Sequence, residues 1–571
     1  MKFLLFLLLS FVILSIKSEI CLIVGSVEHD EVRILYWANQ TRSHEDTWDF
    51  TVTVIPNDKE DQQYNLRLIS AHGTPEILTI RNLQQQTKYK VTFKDTTSED
   101  THTVTLKTPS KNPKNHEFIF LSCNRLVEDR MDMEMWEILN SKIDNSPDFI
   151  GFHLGDQIYA DELQRKIQRQ FKDTENCISY MDMLDDYRQF YSHSWMQDEV
   201  SKFLSKGSHI MLLDDHDIIN NLNSDKWRSN FTLIQMLIRA GAQSFLEFQY
   251  QLNKDIPSFS FEENSLHYNC CLPTAHHNLT INNNQEVCDI THDFWVDFDG
   301  VLENLNLWEA KRMGNVGFLL LETRFTSTFM KGDSVSCIFC DQQLKFIRNT
   351  LINWDSDESI DHIIVITSIP LIYQSTFMAD IAFIAEHERY STHRDLINDT
   401  SKLLDILFSH HKKIKIISGD IHMYLDSSIC NSDNSICIQQ IVTSGMSSKS
   451  STLRSLQLYL YAFFAINVFT PIVPSLSSPD SYYHLRIDEV FLDNSFVSVK
   501  ISEKDWKATA TLRELPSHLA LLHWIHTHPI IIYFFLGCFV SNITLVLLFF
   551  LLRTKETKPK ANNELIKKKQ Q

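Results

Sequence analysis

Four short clusters in this 571-residue chain carry side chains that bind metal ions. They are Ser122-Cys123-Asn124, Gly155-Asp156 with Tyr159, Asp214-Asp215-His216-Asp217 with Asn220 and Asn221, and Ser418-Gly419-Asp420-Ile421-His422. Carboxylate, imidazole, phenolate and thiolate are donors for hard and borderline metals. A fifth cluster, Ser368 with Pro370, is polar only. The spacing is far too wide for a local metal loop. Each cluster follows a short apolar run, and only a sheet collecting strand ends at one edge could assemble them. One such cluster alone reads equally well as a turn or a helix cap: Asp156 behind Gly155 also fits an N-cap. Recurrence at four strand ends favours a metal site, with Asp156 placed to bridge two ions.

The elements that would hold these clusters are legible from periodicity. Apolar strands over Phe118–Leu121, Phe149–Leu154, Ser208–Leu213, Val316–Glu322, His362–Thr367, Ile414–Ser418 and Gln440–Thr443 alternate with helical patterns. The helices include Glu128–Ser141, Asp182–Tyr191, Ser229–Asn253, Asp341–Asn353 and Thr400–His410. This is an α/β chain, with a layered αββα domain expected over residues 116–515. In front of it, residues 19–108 alternate apolar and polar positions over seven short runs, which predicts a β-sandwich. Leu83, Thr87, Tyr89, Val91 and Phe93 resemble the fibronectin-like pattern with its corner tyrosine. No cluster of reactive side chains marks this module, so it is expected to be structural. Ser110–Asn115 is the linker.

The motifs, taken with their order, resemble the alkaline phosphatase D-like (PhoD-like) branch of the calcineurin-type metallophosphatases. The matching residues are Ser122-Cys123-Asn124, Gly155-Asp156-Gln157-Ile158-Tyr159-Ala160-Asp161, Asp214-Asp215-His216-Asp217 with Asn220-Asn221, Glu322-Thr323-Arg324, Ser368-x-Pro370 and Ser418-Gly419-Asp420-x-His422. The resemblance implies a two-metal phosphohydrolase acting on phosphomonoesters or phosphodiesters. Asp156 would bridge the ions. Cys123 and Tyr159 would hold a ferric-type ion, and Asp215, Asp420 and His422 would complete the sites, the second ion being a divalent one such as calcium. His216 would stabilise developing charge or protonate the leaving oxygen. Arg324 would hold a phosphate oxygen or, equally, form a structural ion pair. The chain departs from the family pattern at Ile219, where relatives often carry an acid three residues after the histidine. A non-enzymatic receptor or scaffold on the same fold, and a phospholipase, are the rival readings.

The ends of the chain set the compartment. Lys2 and the apolar run Phe3–Ile16 read as a signal peptide over residues 1–18. Pro529–Leu552 is apolar and long enough to span a bilayer, and the tail 553–571 holds seven Lys or Arg against two Glu, which puts it in the cytoplasm. The expected topology is a single-pass type I membrane protein with a lumenal catalytic domain. Lys568-Lys569-Gln570-Gln571 resembles a dilysine retrieval signal, which implies coat-type retrieval machinery as a partner and the endoplasmic reticulum as the location, with the cell surface or endolysosome as alternatives. Asn39, Asn230, Asn278 and Asn398 begin glycosylation sequons. A net charge of −19 argues against nucleic acid as a partner. Eleven cysteines in an oxidising compartment predict disulfides, with Cys337/Cys340 and Cys430/Cys437 as local pairs. Leu456–Val473, strongly apolar, is expected to form a helix, either interfacial or buried. The interfacial case would suit a phosphoester linked to a lipid, while a glycan-linked one remains open.

Overall fold

The computed structural model describes residues 20–38, 48–56, 65–70, 74–96, 99–110, 116–126, 132–143, 148–173, 178–227, 232–258, 269–271, 287–288, 296–325, 337–386, 389–443, 445–447, 471–491, 493–501 and 506–513. The leader, the apolar segment Pro529–Leu552 and the basic tail lie outside these, as does all but the end of Leu456–Val473. Among the described residues no helix is long and apolar enough to cross a membrane.

The N-terminal module consists of β1 (Ile20–Val27), β2 (Glu31–Ala38), β3 (Trp48–Pro56), β4 (Asn65–Ser70), β5 (Glu76–Arg81), β6 (Lys88–Asp95) and β7 (Thr101–Lys107). They form two antiparallel sheets, β1-β2-β5 and β4-β3-β6-β7. Alternation sends Leu22, Val24, Ile34 and Tyr36 inward against Phe50, Val52, Val91 and Phe93. The corner tyrosine is present: the Tyr89 hydroxyl accepts from the Gln84 N–H at 2.7 Å.

The module shares its packing with the domain behind it. Cys21, Ile23, Leu35 and Trp37, on the opposite face of β1 and β2, belong to the same buried cluster as the helices of that second domain. The Trp37 ring meets Phe248 edge-on at 5.1 Å between centroids.

The second domain contains β8 (His116–Leu121), β9 (Ile150–His153), β10 (Ile178–Ser179), β11 (Ser208–Met211), β12 (Asn269–Cys271), β13 (Val287–Cys288), β14 (Glu309–Met313), β15 (Val316–Leu320), β16 (His362–Ile366), β17 (Lys413–Ser418), β18 (Tyr424–Asn431), β19 (Cys437–Val442), β20 (Ile472–Pro474), β21 (Tyr482–Phe491), β22 (Ser495–Ile501) and β23 (Trp506–Leu512). One sheet runs β11-β9-β8-β22-β23, and the other β14-β15-β16-β17-β19-β18-β21-β20, with a small ladder β10-β12-β13 beside them. Period-two alternation packs the two large sheets face to face. Phe118, Phe120 and Phe152 of one meet Phe318, Leu320 and Ile364 of the other. The alternate residues Ile119 and Leu121 face helices Glu134–Ile143, Tyr180–Trp195 and Thr232–Phe248. Leu319, Ile363 and Val365 face helices Asp341–Asp355 and Ile397–Phe408 on the far side. The layers are therefore helix, sheet, sheet, helix.

Two expectations change. Ile472 and Val473, the end of the expected apolar helix, lie in β20 and pair with β21, because the pairing partners His484 and Tyr483 offer a strand edge. Cys430 and Cys437 form a disulfide, but Cys337 and Cys340 are thiols. Cys340 is the N-cap of helix Asp341–Asp355, its sulfur accepting from the Gln343 N–H at 3.5 Å, so the turn that would close a bridge is occupied by the cap.

Candidate metal centre

Parallel pairing of β8, β9 and β11, and of β15, β16, β17 and β19, points all their C-terminal ends at one edge. The two sheets are stitched together there. Ser122 bridges to Gly445, its Oγ lies 3.1 Å from Thr443 Oγ1, and the Met446 N–H donates to the Ser122 carbonyl at 3.0 Å. Two glycines permit the approach. Gly155 has φ +101°, and a Cβ on it would meet Asp214 Cβ at 2.4 Å. A Cβ on Gly419 would meet Ser122 Cβ at 2.7 Å. Any larger residue would pry the strand ends apart.

Three groups of possible ligand atoms result: Cys123, Asp156 and His422; Asp156, Asp215 and His216; and Asp214, Asp215 and Asp420. Within each, the donor atoms lie within 4.8 Å of one another. Asp156 is common to the first two groups and Asp215 to the last two, an arrangement that suits two adjacent cations. Cys123, Asp156, Asp420 and His422 all have left-handed backbones, with φ of 53°, 57°, 71° and 52°. Each such residue costs on the order of 1–3 kcal/mol, and that strain persists only where the surroundings over-determine it.

A cation fits this constellation. Asp156 is buried, and neither of its carboxylate oxygens has a hydrogen-bond partner. Burial first, and then the Asp214, Asp215 and Asp217 carboxylates, push its carboxyl well up against the opposing pull of His216. Cys123 is fully buried, and its thiol is likewise pushed up by burial and by Asp156. Tyr159 is buried, with its hydroxyl 2.8 Å from His422 Nε2. Burial, Cys123 and Asp156 push its phenol up as well. Anionic donors crowded together without solvent are what a positive ion relieves.

His216 lies at the rim. Its Nδ1 is 3.0 Å from Asp161 Oδ1, and its ring stacks on Tyr159 at 4.3 Å. Burial opposes its charge, but Asp215, Asp156 and Asp161 together push the imidazole well above its ordinary range. Asp215 shows the reverse balance. Burial raises it, while His216, Arg324 and the Asn221 N–H hold it down.

Six of the eight expected site residues, Cys123, Asp156, Asp215, His216, Asp420 and His422, come together as donor groups, and Tyr159 joins them through His422. Arg324 pairs with two carboxylates of the site. Its Nε donates to Asp214 Oδ1 at 2.6 Å, and its Nη2 is 3.6 Å from Asp215 Oδ1. Its side chain is only 7% exposed. Two carboxylates flank the guanidinium, so of the two roles open to it the ion pair is the one seen. Ile219 is buried in the apolar cluster. His153 packs away from the ligands, against Gln157 Oε1 at 2.8 Å and His209 Nδ1 at 3.0 Å, and burial pushes it well down.

Other residues of the site are given no individual role by the sequence. Asp217 is buried, and its carboxylate accepts from the backbone N–H groups of Asp156, Gln157, Ile158 and Asp214 and from Gln249 Nε2, at 2.7–3.3 Å. It holds the loop that presents Asp156. Asp214 and Asp217 make a reciprocal capping box, a three-residue spacing that the sequence does display. Asp161 closes the Gly155–Asp161 motif, while Arg125 has no comparable signal.

The layered fold and the three donor groups are features that can be compared with known proteins. The profile of the PhoD-like phosphatase family matches residues 118–254. The solved structure of PhoD superposes with a TM-score of 0.56 at 13% identity, over 87% of this chain and 90% of that one. Over residues 118–254 the chain is thus similar to the PhoD-like phosphatases, and its fold is similar to that of PhoD. The sensor domain of the anti-sigma factor RsgI4 of Pseudobacteroides cellulosolvens aligns over 16% of this chain and 76% of its own, at 11% identity and a TM-score of 0.15, too low to carry an argument. No curated protein matches the chain by sequence.

Proposed function

We propose that the chain hydrolyses phosphomonoesters or phosphodiesters with two metal ions at the strand edge, held by Cys123, Asp156, Tyr159, Asp215, Asp420 and His422. The observation that carries this reading is Asp156, whose two unpartnered, buried carboxylate oxygens lie between two donor groups. Bound cations supply the positive charge that polarises a phosphoryl oxygen and acidifies water. A thiolate and a phenolate at one end suit a ferric-type ion, and the carboxylates at the other suit a divalent ion such as calcium. Asp161 fixes one nitrogen of His216, which leaves the other to deliver a proton to the departing oxygen. The full donor set argues against an inert scaffold.

Membrane attachment through Pro529–Leu552, with a lumenal site, belongs to the same reading. The antiparallel run of β22 and β23 brings the chain back to the site edge, where the Arg513 N–H donates to the Asn494 carbonyl at 3.0 Å. A tail leaving from that edge would hold the site toward the bilayer. Helix Thr376–Glu386, which follows the Ser368-Pro370 loop, leaves Phe377, Ile381 and Ile384 exposed at a spacing that aligns them on one face. That stripe favours a substrate with a lipid portion, and a phospholipase activity is the second reading. Retrieval through Lys568-Lys569 would keep the protein in the endoplasmic reticulum.

The test is metal analysis of the purified protein together with chromogenic mono- and diester assays. Bound metal and hydrolysis that Asp156→Asn abolishes are expected. A folded, metal-free and inert wild-type protein would refute the reading.

A further inference from the structure

Arg324 pairs with Asp214 and Asp215. Arg165 is committed too, to Asp161 at 3.0 Å and Glu162 at 2.6 Å. Lys226 donates to the Asn220 carbonyl and lies beside Asp215.

Arg125 is different. Its guanidinium lies over the Tyr159 ring, 5.5 Å from the centroid, at the Cys123–His422 end of the centre. Its one ion pair is long: Nη2 is 3.4 Å from Glu162 Oε1, and Arg165 already holds that same carboxylate more closely. Its Nε is buried and has no hydrogen-bond partner. The side chain is 19% exposed, so solvent and ligand can reach it.

The backbone beneath it is fixed. Asn124 is buried; its Nδ2 donates to Ser194 Oγ at 3.0 Å, and its Oδ1 accepts from Trp136 Nε1 at 3.1 Å and Ser447 Oγ at 3.0 Å. Leu126 on the other side is also buried. An arginine held between two anchors, with an unspent inner N–H beside a metal cluster, presents a planar fork suited to tetrahedral oxyanions.

Building on the phosphoesterase reading, we propose that Arg125 binds an anionic oxygen of the substrate phosphoryl group. The group recognised is a phosphate oxygen, whether on an ester or on the released product. No chemistry passes through Arg125. It orients and neutralises, and the loss on its removal falls mainly on binding.

The test uses the full-length, metal-loaded protein with Arg125→Gln, Arg125→Lys and Glu162→Gln. Calorimetric binding of inorganic phosphate reads the site without turnover, and KM for a chromogenic diester reads it with turnover. Arg125→Gln is expected to weaken phosphate binding and raise KM about 10- to 100-fold, the value of a charge-assisted hydrogen bond. Metal content should be unchanged. Arg125→Lys keeps the charge and loses the fork, so it should fall between. Glu162→Gln should bind phosphate as wild type does. The proposal is overturned if Arg125→Gln binds phosphate within twofold of wild type. It is equally overturned if Glu162→Gln reproduces the defect, since the residue would then act as a structural ion pair. If Arg125→Gln does not fold, the lysine variant decides, and unaltered phosphate affinity there sinks the idea. Failure of the phosphoesterase reading looks different, because wild type itself then hydrolyses no ester.

Discussion

Arg324→Met removes the charge of the buried guanidinium and keeps most of its volume. The charge touches two carboxylates, Asp214 at 2.6 Å and Asp215 at 3.6 Å. All three side chains are nearly inaccessible, at 7%, 1% and 3%. Removing one partner of a buried pair strands the other and costs about 3–5 kcal/mol. Here two anions are stranded, in a site that already holds Asp156, Asp217 and Asp420, so the upper end of that range applies to the metal-free protein. Cations would repay part of this loss, since a site one charge more negative attracts them more strongly and binding stabilises the folded state. The difference between wild type and variant should therefore be larger in chelator than with metals present. Denaturant unfolding followed by tryptophan fluorescence, with and without chelator, measures both values. Equal stability of variant and wild type in chelator would refute the reasoning. So would a variant of normal stability with a raised KM, which would put Arg324 on the substrate after all.

Trp37→Ala should cost about 3–5 kcal/mol, because the indole fills the cluster shared by the N-terminal sheet and helix Thr232–Phe248. A chain trimmed to begin at residue 116 should fail to give a cooperative unfolding transition, and a normal one would show the domains to be independent. Acid should weaken the fold through His209, which burial pushes from its ordinary 6.5 down to about 4. Its folded pKa lies below its unfolded one, so the unfolded chain takes up the proton first. Stability is then complete above pH 6.5 and falls as pH drops toward 4, by about 3 kcal/mol. His209→Gln should flatten that part of the profile, and a profile identical to wild type would exclude His209 as its source.

How much of the site is legible in the sequence depends on how each group is positioned. Cys123, Asp156, Asp215, Asp420 and His422 each sit within a few residues of the end of a buried apolar run. Parallel pairing gathers such ends at one edge within each sheet, and the packing of the two sheets brings the two edges together. Tyr159 rides on the same turn as Asp156. Asp161 and Asp217 are not legible as working parts. The first matters only because His216, 55 positions later, comes within 3.0 Å, and the second only because four backbone N–H groups and Gln249 converge on it. Arg324 is ambiguous for the same reason: whether a guanidinium serves substrate or carboxylate depends on which lies nearer in space.

The shared core of the first module, by contrast, is written in its strands. In β6, Lys88–Asp95, polar and apolar residues alternate, as one exposed face requires. In β1, Ile20-Cys21-Leu22-Ile23-Val24 is apolar throughout, and β2 carries Ile34-Leu35-Tyr36-Trp37. A strand apolar on both faces must be covered on both, and the second cover is the domain behind it. The consequence reaches the metal centre. Ser208, the first residue of β11, donates from Oγ to the Gly25 carbonyl of β1 at 3.0 Å, and a Cβ on Gly25 would meet the Leu252 carbonyl oxygen at 2.3 Å. β11 is the edge strand whose far end delivers Asp214, Asp215, His216 and Asp217. An edge strand has a sheet neighbour on one side only, and β1 braces its start. The module without reactive side chains thus helps to fix the donor groups of the site.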